Sequence, residues 1–265
     1  MNVFNLITGA TGGLGSAFAK LIAERGENLI LTGRSEEKLR ALKEELLTIR
    51  ENLVIETIAC DLTSEKDREI LLSGVATACK NRGIPLYRLI NVAGADIQKS
   101  FAQYTQQKIA FQCRVNFESA VSLAHGAIAL GVKEIVNISS VSGIYPMPYF
   151  AIYSATKGAL TSFSLALREE MRGAGVRVTA ILPGAIPTRD DVKEQIKGQG
   201  LWGKIAAKSP RFVAEQSLKA VEKNKGKVVV GFANKCMNIG TKLLPLPLML
   251  KFIARRWSKI SKDSF

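Results

Sequence analysis

The chain has 265 residues, 47% of them hydrophobic and 23% charged. That composition excludes a disordered tail or a fibre and leaves ample chain for a buried core. The formal charge of +14 is unevenly spread: residues 1–200 hold 23 basic and 20 acidic side chains, and residues 201–265 hold 14 and 3. The basic last quarter lacks a helix-turn-helix pattern or an aromatic-interleaved sheet, which argues against a specific nucleic-acid partner.

In chain order, apolar runs with strand character occur at Val3–Thr8, Asn28–Thr32, Leu53–Ala59, Leu86–Val92, Lys133–Ser139, Arg177–Leu182 and Lys227–Val230. Several are almost continuously apolar, as strands buried on both faces of a parallel sheet are. Helical patterns separate them at Leu14–Arg25, Glu36–Arg50, Ser64–Asn81, Gln107–Leu130, Tyr153–Arg172 and Arg211–Asn224. The alternation predicts an α/β fold: a doubly wound, Rossmann-like, seven-stranded parallel sheet with helices on both faces. No repeat, low-complexity segment or linker divides the chain, so residues 1–265 read as one domain.

Cys60, Cys79, Cys113 and Cys236 form no C-x-x-C pair, and His125 is the single histidine. They read as reduced thiols and a polar helix residue, and no metal site is expected. The start, Met1 to Gly9, lacks a basic, long-apolar leader, and the Leu243–Leu250 run is interrupted by Pro245 and Pro247. Both features point to a cytoplasmic protein.

The first strand runs into Thr8-Gly9-Ala10-Thr11-Gly12-Gly13-Leu14-Gly15 and then a helix. Glycines there let the backbone turn tightly and approach a pyrophosphate, while the helix start offers free N–H groups and a positive dipole end. This T-G-x-x-x-G-x-G pattern resembles the nucleotide loop of the short-chain dehydrogenase/reductase family. Further matches follow in order: Asp61-Leu62 after the third strand, Asn91-Val-Ala93-Gly94 ending the fourth, and Asn116 on the long helix. Ser139-Ser140 ends the fifth strand, Tyr153-x-x-x-Lys157 opens the next helix, and Pro183-Gly184-Ala-Ile186-Pro-Thr188 follows the sixth strand. Together they cover roughly residues 5–190, with Val92 departing from the family's N-N-A-G. The resemblance implies a dinucleotide-binding and catalytic domain, with Gly9, Thr11, Gly13, Leu14, Gly15, Asp61, Leu62, Asn91, Ala93, Gly94, Pro183, Gly184, Ile186 and Thr188 on the cofactor.

An NAD-binding unit usually carries an acid at the tip of strand two for the ribose 2′-OH. Here the tip reads Thr32-Gly33-Arg34-Ser35, and Arg34 suits a 2′-phosphate. NADP(H) is therefore expected over NAD(H). The plain alternative is a solvated Arg34 next to a helix capped by Ser35.

Tyr153 and Lys157 lie four apart on a predicted helix and so share a face. A tyrosine ordinarily titrates near pH ~10, and a nearby ammonium favours its phenolate, moving the pKa towards the operating pH as acid–base catalysis requires. Ser140 can hold the substrate oxygen beside that phenol. The family resemblance adds that Lys157 binds the nicotinamide ribose and Asn116 holds a water in a proton relay. The expected activity is hydride transfer between NADP(H) and a carbonyl or secondary alcohol, with Tyr153 as general acid/base. The alternatives are a reductase of lipid-like ketones or 3-oxoacyl groups at a membrane surface, or a non-catalytic NADP(H)-binding sensor.

The substrate end is expected from Ala95–Lys99, the mostly apolar Val141–Ile152 and a lid within residues 185–210 that includes Trp202. The family resemblance further implies a homodimer or homotetramer pairing the helices at Gln107–Leu130 and Tyr153–Arg172. Residues 232–265 form a basic extension with seven cations and one acid, Asp263. On one predicted helix, Leu248–Lys262, Met249, Leu250, Ile253, Trp257 and Ile260 oppose Lys251, Arg255, Lys259 and Lys262. That helix can wall the pocket, dock a subunit, or make a peripheral contact through 243–262 with the inner face of a membrane.

Overall fold

A computed structural model describes residues 2–188, 192 and 205–258. Seven strands, β1 Phe4–Thr8, β2 Asn28–Gly33, β3 Ile55–Ala59, β4 Leu86–Asn91, β5 Glu134–Ile138, β6 Arg177–Leu182 and β7 Lys227–Val229, form one sheet in the order 3-2-1-4-5-6-7. Every pair is parallel. Helices α1 Gly13–Glu24, α2 Glu36–Ile49, α3 Glu65–Arg82, α4 Gln106–Cys113, α5 Ser119–Ala129, α6 Ala151–Glu170 and α7 Pro210–Glu222 connect them, and α8 Phe232–Leu243 and α9 Leu246–Trp257 follow.

The period-two geometry of the strands divides the core between the two faces. Ile7, Leu29, Leu31, Ile90, Val136 and Ile181 pack with residues of α1, α2 and α7. Their neighbours Leu6, Ile30, Leu89, Ile135 and Val178 pack with residues of α3 and α5 on the other face. This explains the nearly continuous apolar runs of the central strands. Helix starts are set locally: Ser35, Ser64 and Ser209 accept hydrogen bonds from the N–H groups of Lys38, Asp67 and Phe212, satisfying donors that the helix itself cannot.

At the amino ends of the strands lies a buried ionic cluster. Arg88 donates to Glu134 at 2.6 Å, to Asn5 at 2.9 Å and to Glu27 at 3.2 Å. Tyr87 and Arg177 also donate to Glu134.

Two expectations are corrected. The single helix predicted at Gln107–Leu130 is α4 and α5 joined by a π-helical turn, Arg114–Glu118. The wider turn allows the side chain of Asn116 to engage backbone of the β4 loop, and apolar periodicity carries no sign of it. In the extension, α8 was not foreseen, and α9 begins at Leu246 rather than Leu248, with Pro247 in its first turn. A proline is tolerated there because the missing N–H has no intrahelical acceptor to serve. Ile260, Lys259 and Lys262 of the predicted face lie outside the described residues, as does Trp202.

Candidate active site

The sheet changes direction of winding between β1 and β4, and the loops after these strands meet at their carboxyl ends, where ligands bind in open α/β sheets. Gly9 has φ +61°, and a Cβ on it would lie 3.0 Å from Ala93 Cα. A Cβ on Gly15 would lie 2.2 Å from Gly9 O, so the loop closes only with glycine at both places. Thr8 Oγ1 accepts from the N–H groups of Val92 and Ala93 at 3.0 and 3.1 Å. This strand-end threonine, which opens the T-G-x-x-x-G-x-G pattern but was given no role of its own, locks the β4 loop to the glycine loop. Thr188 lies 2.9 Å from the Cβ position of Gly13, bringing the segment after β6 over the same turn.

The start of α1 has Gly12 as its cap and no side chain bonded to the first-turn N–H groups. Leu14 is buried in the core, so it offers this site its backbone alone. Thr11 lies against Gly33 at the end of β2. Beyond it Arg34 is exposed, and Ser35 caps α2. The two sequence readings at this point are therefore compatible: the cap is real and the guanidinium is accessible. The glycine cradle and the helix start without a side-chain cap fit the pyrophosphate of a dinucleotide.

Several expected cofactor residues act structurally with their side chains. Asp61 Oδ1 accepts from Thr63 N at 2.9 Å and Thr63 Oγ1 at 2.8 Å, forming a local turn. Leu62 is in the core, and its carbonyl accepts from Arg68. Asn91 Nδ2 donates to Asn137 Oδ1 at 2.8 Å, and Asn137 donates in turn to Ser164 on α6. That chain ties the Asn91 side chain to β5 and, through Asn137, to α6. Pro183 O accepts from Val141 N, and Ile186 O from Thr188 N. Gly184 faces Asn234 of α8, whose Nδ2 donates to Ala206 O and Val230 O.

The polar group beside this cradle is built by β5, the π turn and α6. Lys157 is buried and its Nζ donates to Ile138 O at 2.8 Å. Nζ is 5.9 Å from the centre of the half-buried Tyr153 ring. Burial depresses the Lys157 pKa to about 8, partly opposed by the charge of Asp96. Asn116 Oδ1 accepts from Ala95 N at 2.7 Å, and its Nδ2 donates to Ala95 O at 2.9 Å and Thr156 Oγ1 at 3.2 Å. A Cβ on Gly94 would lie 3.1 Å from both Asn116 Oδ1 and Lys157 Nζ, so the β4 loop, the π turn and α6 converge there.

The adjacent serines differ in their partners. Ser139 Oγ donates to Lys157 O at 2.7 Å and contacts Thr161 Oγ1 at 2.7 Å, fixing α6 to the end of β5. Ser140 Oγ accepts from Ser142 N at 3.1 Å, which leaves its hydroxyl hydrogen free for another acceptor. Phe150 packs 5.9 Å from the Tyr153 ring and edge-on at 5.1 Å to Trp257 of α9.

A cleft of about 530 Å³ lies next to this group. It is lined by Gly143–Pro148, by Ala151, Ser154, Ala155, Gly158 and Ala159 of α6, and by Leu250 of α9. The predicted apolar segment after β5 thus forms one wall, although Tyr153 and Ser140 do not line the cleft. The small side chains of Ala155, Gly158 and Ala159 thus make the α6 wall of this cleft.

The family model described as short chain dehydrogenase matches residues 4–197, and the chain belongs to that family of oxidoreductases. Serine 3-dehydrogenase of Agrobacterium fabrum is 35% identical over 188 residues, covering 69% of this chain and 72% of that protein. Sulfoacetaldehyde reductase of Chromohalobacter salexigens is 33% identical over 221 residues, covering 79% and 84%. Among solved structures, a short-chain dehydrogenase from Sphingobium yanoikuyae in complex with NADPH is 27% identical, with TM-score 0.75 and coverage of 93% and 94%. The bulky-bulky ketone specific alcohol dehydrogenase from Comamonas testosteroni is also 27% identical, with TM-score 0.74 and 94% coverage of each chain.

Proposed function

We propose that this oxidoreductase uses NADP(H) to interconvert an apolar ketone and its secondary alcohol, with Tyr153 as the general acid/base. The observation that carries the reading is the placement of Lys157: a buried ammonium 5.9 Å from the Tyr153 ring and beside Gly94, the residue after the Ala93 that meets the glycine loop. The glycine loop and the first turn of α1 hold the pyrophosphate through backbone N–H groups, and Arg34 pairs with the 2′-phosphate. The likeness to a chain solved with NADPH supports that choice of cofactor. When bound, the reduced nicotinamide supplies the hydride.

The protein's own groups manage the oxygen and the proton. Ser140 donates its free hydroxyl hydrogen to the carbonyl oxygen and holds it beside Tyr153. The Tyr153 hydroxyl gives its proton to that oxygen as the carbon is reduced. The charge on Lys157 favours the phenolate that remains, which lowers the cost of this transfer. Asn116 holds Ala95 in place through both the oxygen and the nitrogen of its amide, and one lone pair of Oδ1 remains for a water that returns protons towards Lys157. The apolar cleft walled by Ile144, Pro146, Met147 and Leu250 supports a bulky, uncharged substituent on the substrate.

Tyr153→Phe removes the transferable proton and leaves the cradle intact. Oxidation of NADPH by a panel of bulky ketones should fall about 10²–10⁴-fold, with NADPH binding measured by fluorescence unchanged. Retained turnover would refute the mechanism. Arg34→Ala should raise KM for NADPH and leave that for NADH unchanged; equal effects on both would remove the 2′-phosphate assignment.

A further inference from the structure

Helix α9 is apolar on two sides. Met249 and Ile253 are buried and Trp257 meets Phe150, so one side is fastened to the domain. The other side, by helical spacing and exposure, carries Leu248 and Phe252 among Lys251 and Arg255. Leu248 is 61% exposed and Phe252 67%. The preceding helix continues the pattern, with Phe232 81% and Ile239 61% exposed, and exposed Leu244 and Leu246 join the two helices. Of thirteen large hydrophobic side chains exposed among the described residues, seven lie between Phe232 and Phe252. Such concentration on a protein surface marks an interaction site.

We propose that the exposed side of α8 and α9 docks on an anionic lipid surface. The charge selects this occupant. Residues 232–265 hold seven cations and one acid, and 232–258 hold no acid. A second copy meeting this surface about a two-fold axis would set cations against cations. Projecting Phe and Leu side chains are unsuited to the phosphates of a nucleic acid. A bilayer with acidic headgroups accepts both components, the apolar side chains between acyl chains and the ammonium and guanidinium groups at the headgroups. Docked in this way, α9 becomes the partition between the lipid and the cleft that contains Leu250.

The test is co-sedimentation of the full chain with vesicles of phosphatidylcholine alone or phosphatidylcholine mixed with phosphatidylglycerol. Binding is expected to the mixed vesicles, at least about tenfold weaker on neutral ones and weakened similarly by molar salt. Leu248→Glu with Phe252→Glu should abolish it, and Lys251→Glu with Arg255→Glu should reduce it about tenfold or more. Both double variants should retain the wild-type circular dichroism and melting temperature. The proposal fails if the wild type ignores mixed vesicles at low salt, binds both vesicle types equally, or binds undiminished after the Leu248 and Phe252 changes. It also fails if those changes split a dimer that does not bind vesicles, since the surface would then be a subunit contact.

Discussion

Two buried polar clusters stand at opposite ends of the same sheet, and they handle charge differently. At the amino ends, Arg88 faces Glu134 and Glu27, and Arg177 and Tyr87 complete the surroundings of Glu134. At the carboxyl ends, Lys157 is held by the Ile138 carbonyl and, among the described residues, receives only the more distant support of Asp96. The first cluster offsets its desolvation with direct ion pairs. The second does not, and its cation is correspondingly easy to discharge. A group left under-compensated beside a ligand cradle is poised for proton chemistry, whereas a self-contained network serves the fold.

Paired substitutions break this comparison most directly. Glu134→Ala removes the carboxylate that Arg177 and the buried Arg88 share, leaving Arg88 with Glu27 and Asn5, and should cost about 3–5 kcal/mol of stability in denaturant unfolding. Lys157→Met should leave stability at neutral pH unchanged or slightly higher, because it removes an ammonium whose burial is unfavourable, while turnover falls by about 10²-fold or more. Equal destabilisation by the two changes would erase the distinction drawn between the clusters.

The pH dependence sharpens it. Below about pH 8 Lys157 is charged in both folded and unfolded chains. Between about 8 and its ordinary 10.5 the folded protein has released this proton and the unfolded chain retains it. The unfolded state then binds more protons, so this group's contribution makes stability rise with pH across that window. The wild-type minus Lys157→Met difference in unfolding free energy, followed against pH, should show that rise. Asp96→Asn removes the charge that opposes the depression, so NMR titration of the Lys157 side chain should place its midpoint lower still. The smallest effect concerns neither cluster: Ser35→Ala deletes the α2 cap and should cost about 1 kcal/mol, with KM for NADPH unchanged if Arg34 acts independently of the cap.

Strand positions were readable from the sequence because a doubly covered sheet demands uninterrupted apolar runs, and Ile7, Leu31 and Val136 supply them. The glycine loop was readable because Gly9 and Gly15 satisfy steric demands no other residue meets. Other parts depend on contacts between distant segments. Asn91 matches a motif, yet its partner is Asn137, 46 residues away. Ser139 and Ser140 look alike in the chain, yet Ser139 bonds α6 and Ser140 accepts from the Ser142 N–H of the following turn. The π turn around Asn116 is invisible to periodicity because its neighbours still alternate as a helix would. Helix α8 is amphipathic in sequence but was not expected, and its apolar residues Phe232, Met237 and Ile239 are exposed.

Asn234 joins this outlying part to the rest. Its one amide nitrogen binds Ala206 and Val230 while its side chain abuts Gly184, so the start of α8 braces the loop after β6. The extension is thus a strut as well as a surface. Cutting the chain before Phe232 would loosen a wall of the ligand cradle, whereas a point change at Phe252 alters the outer side alone.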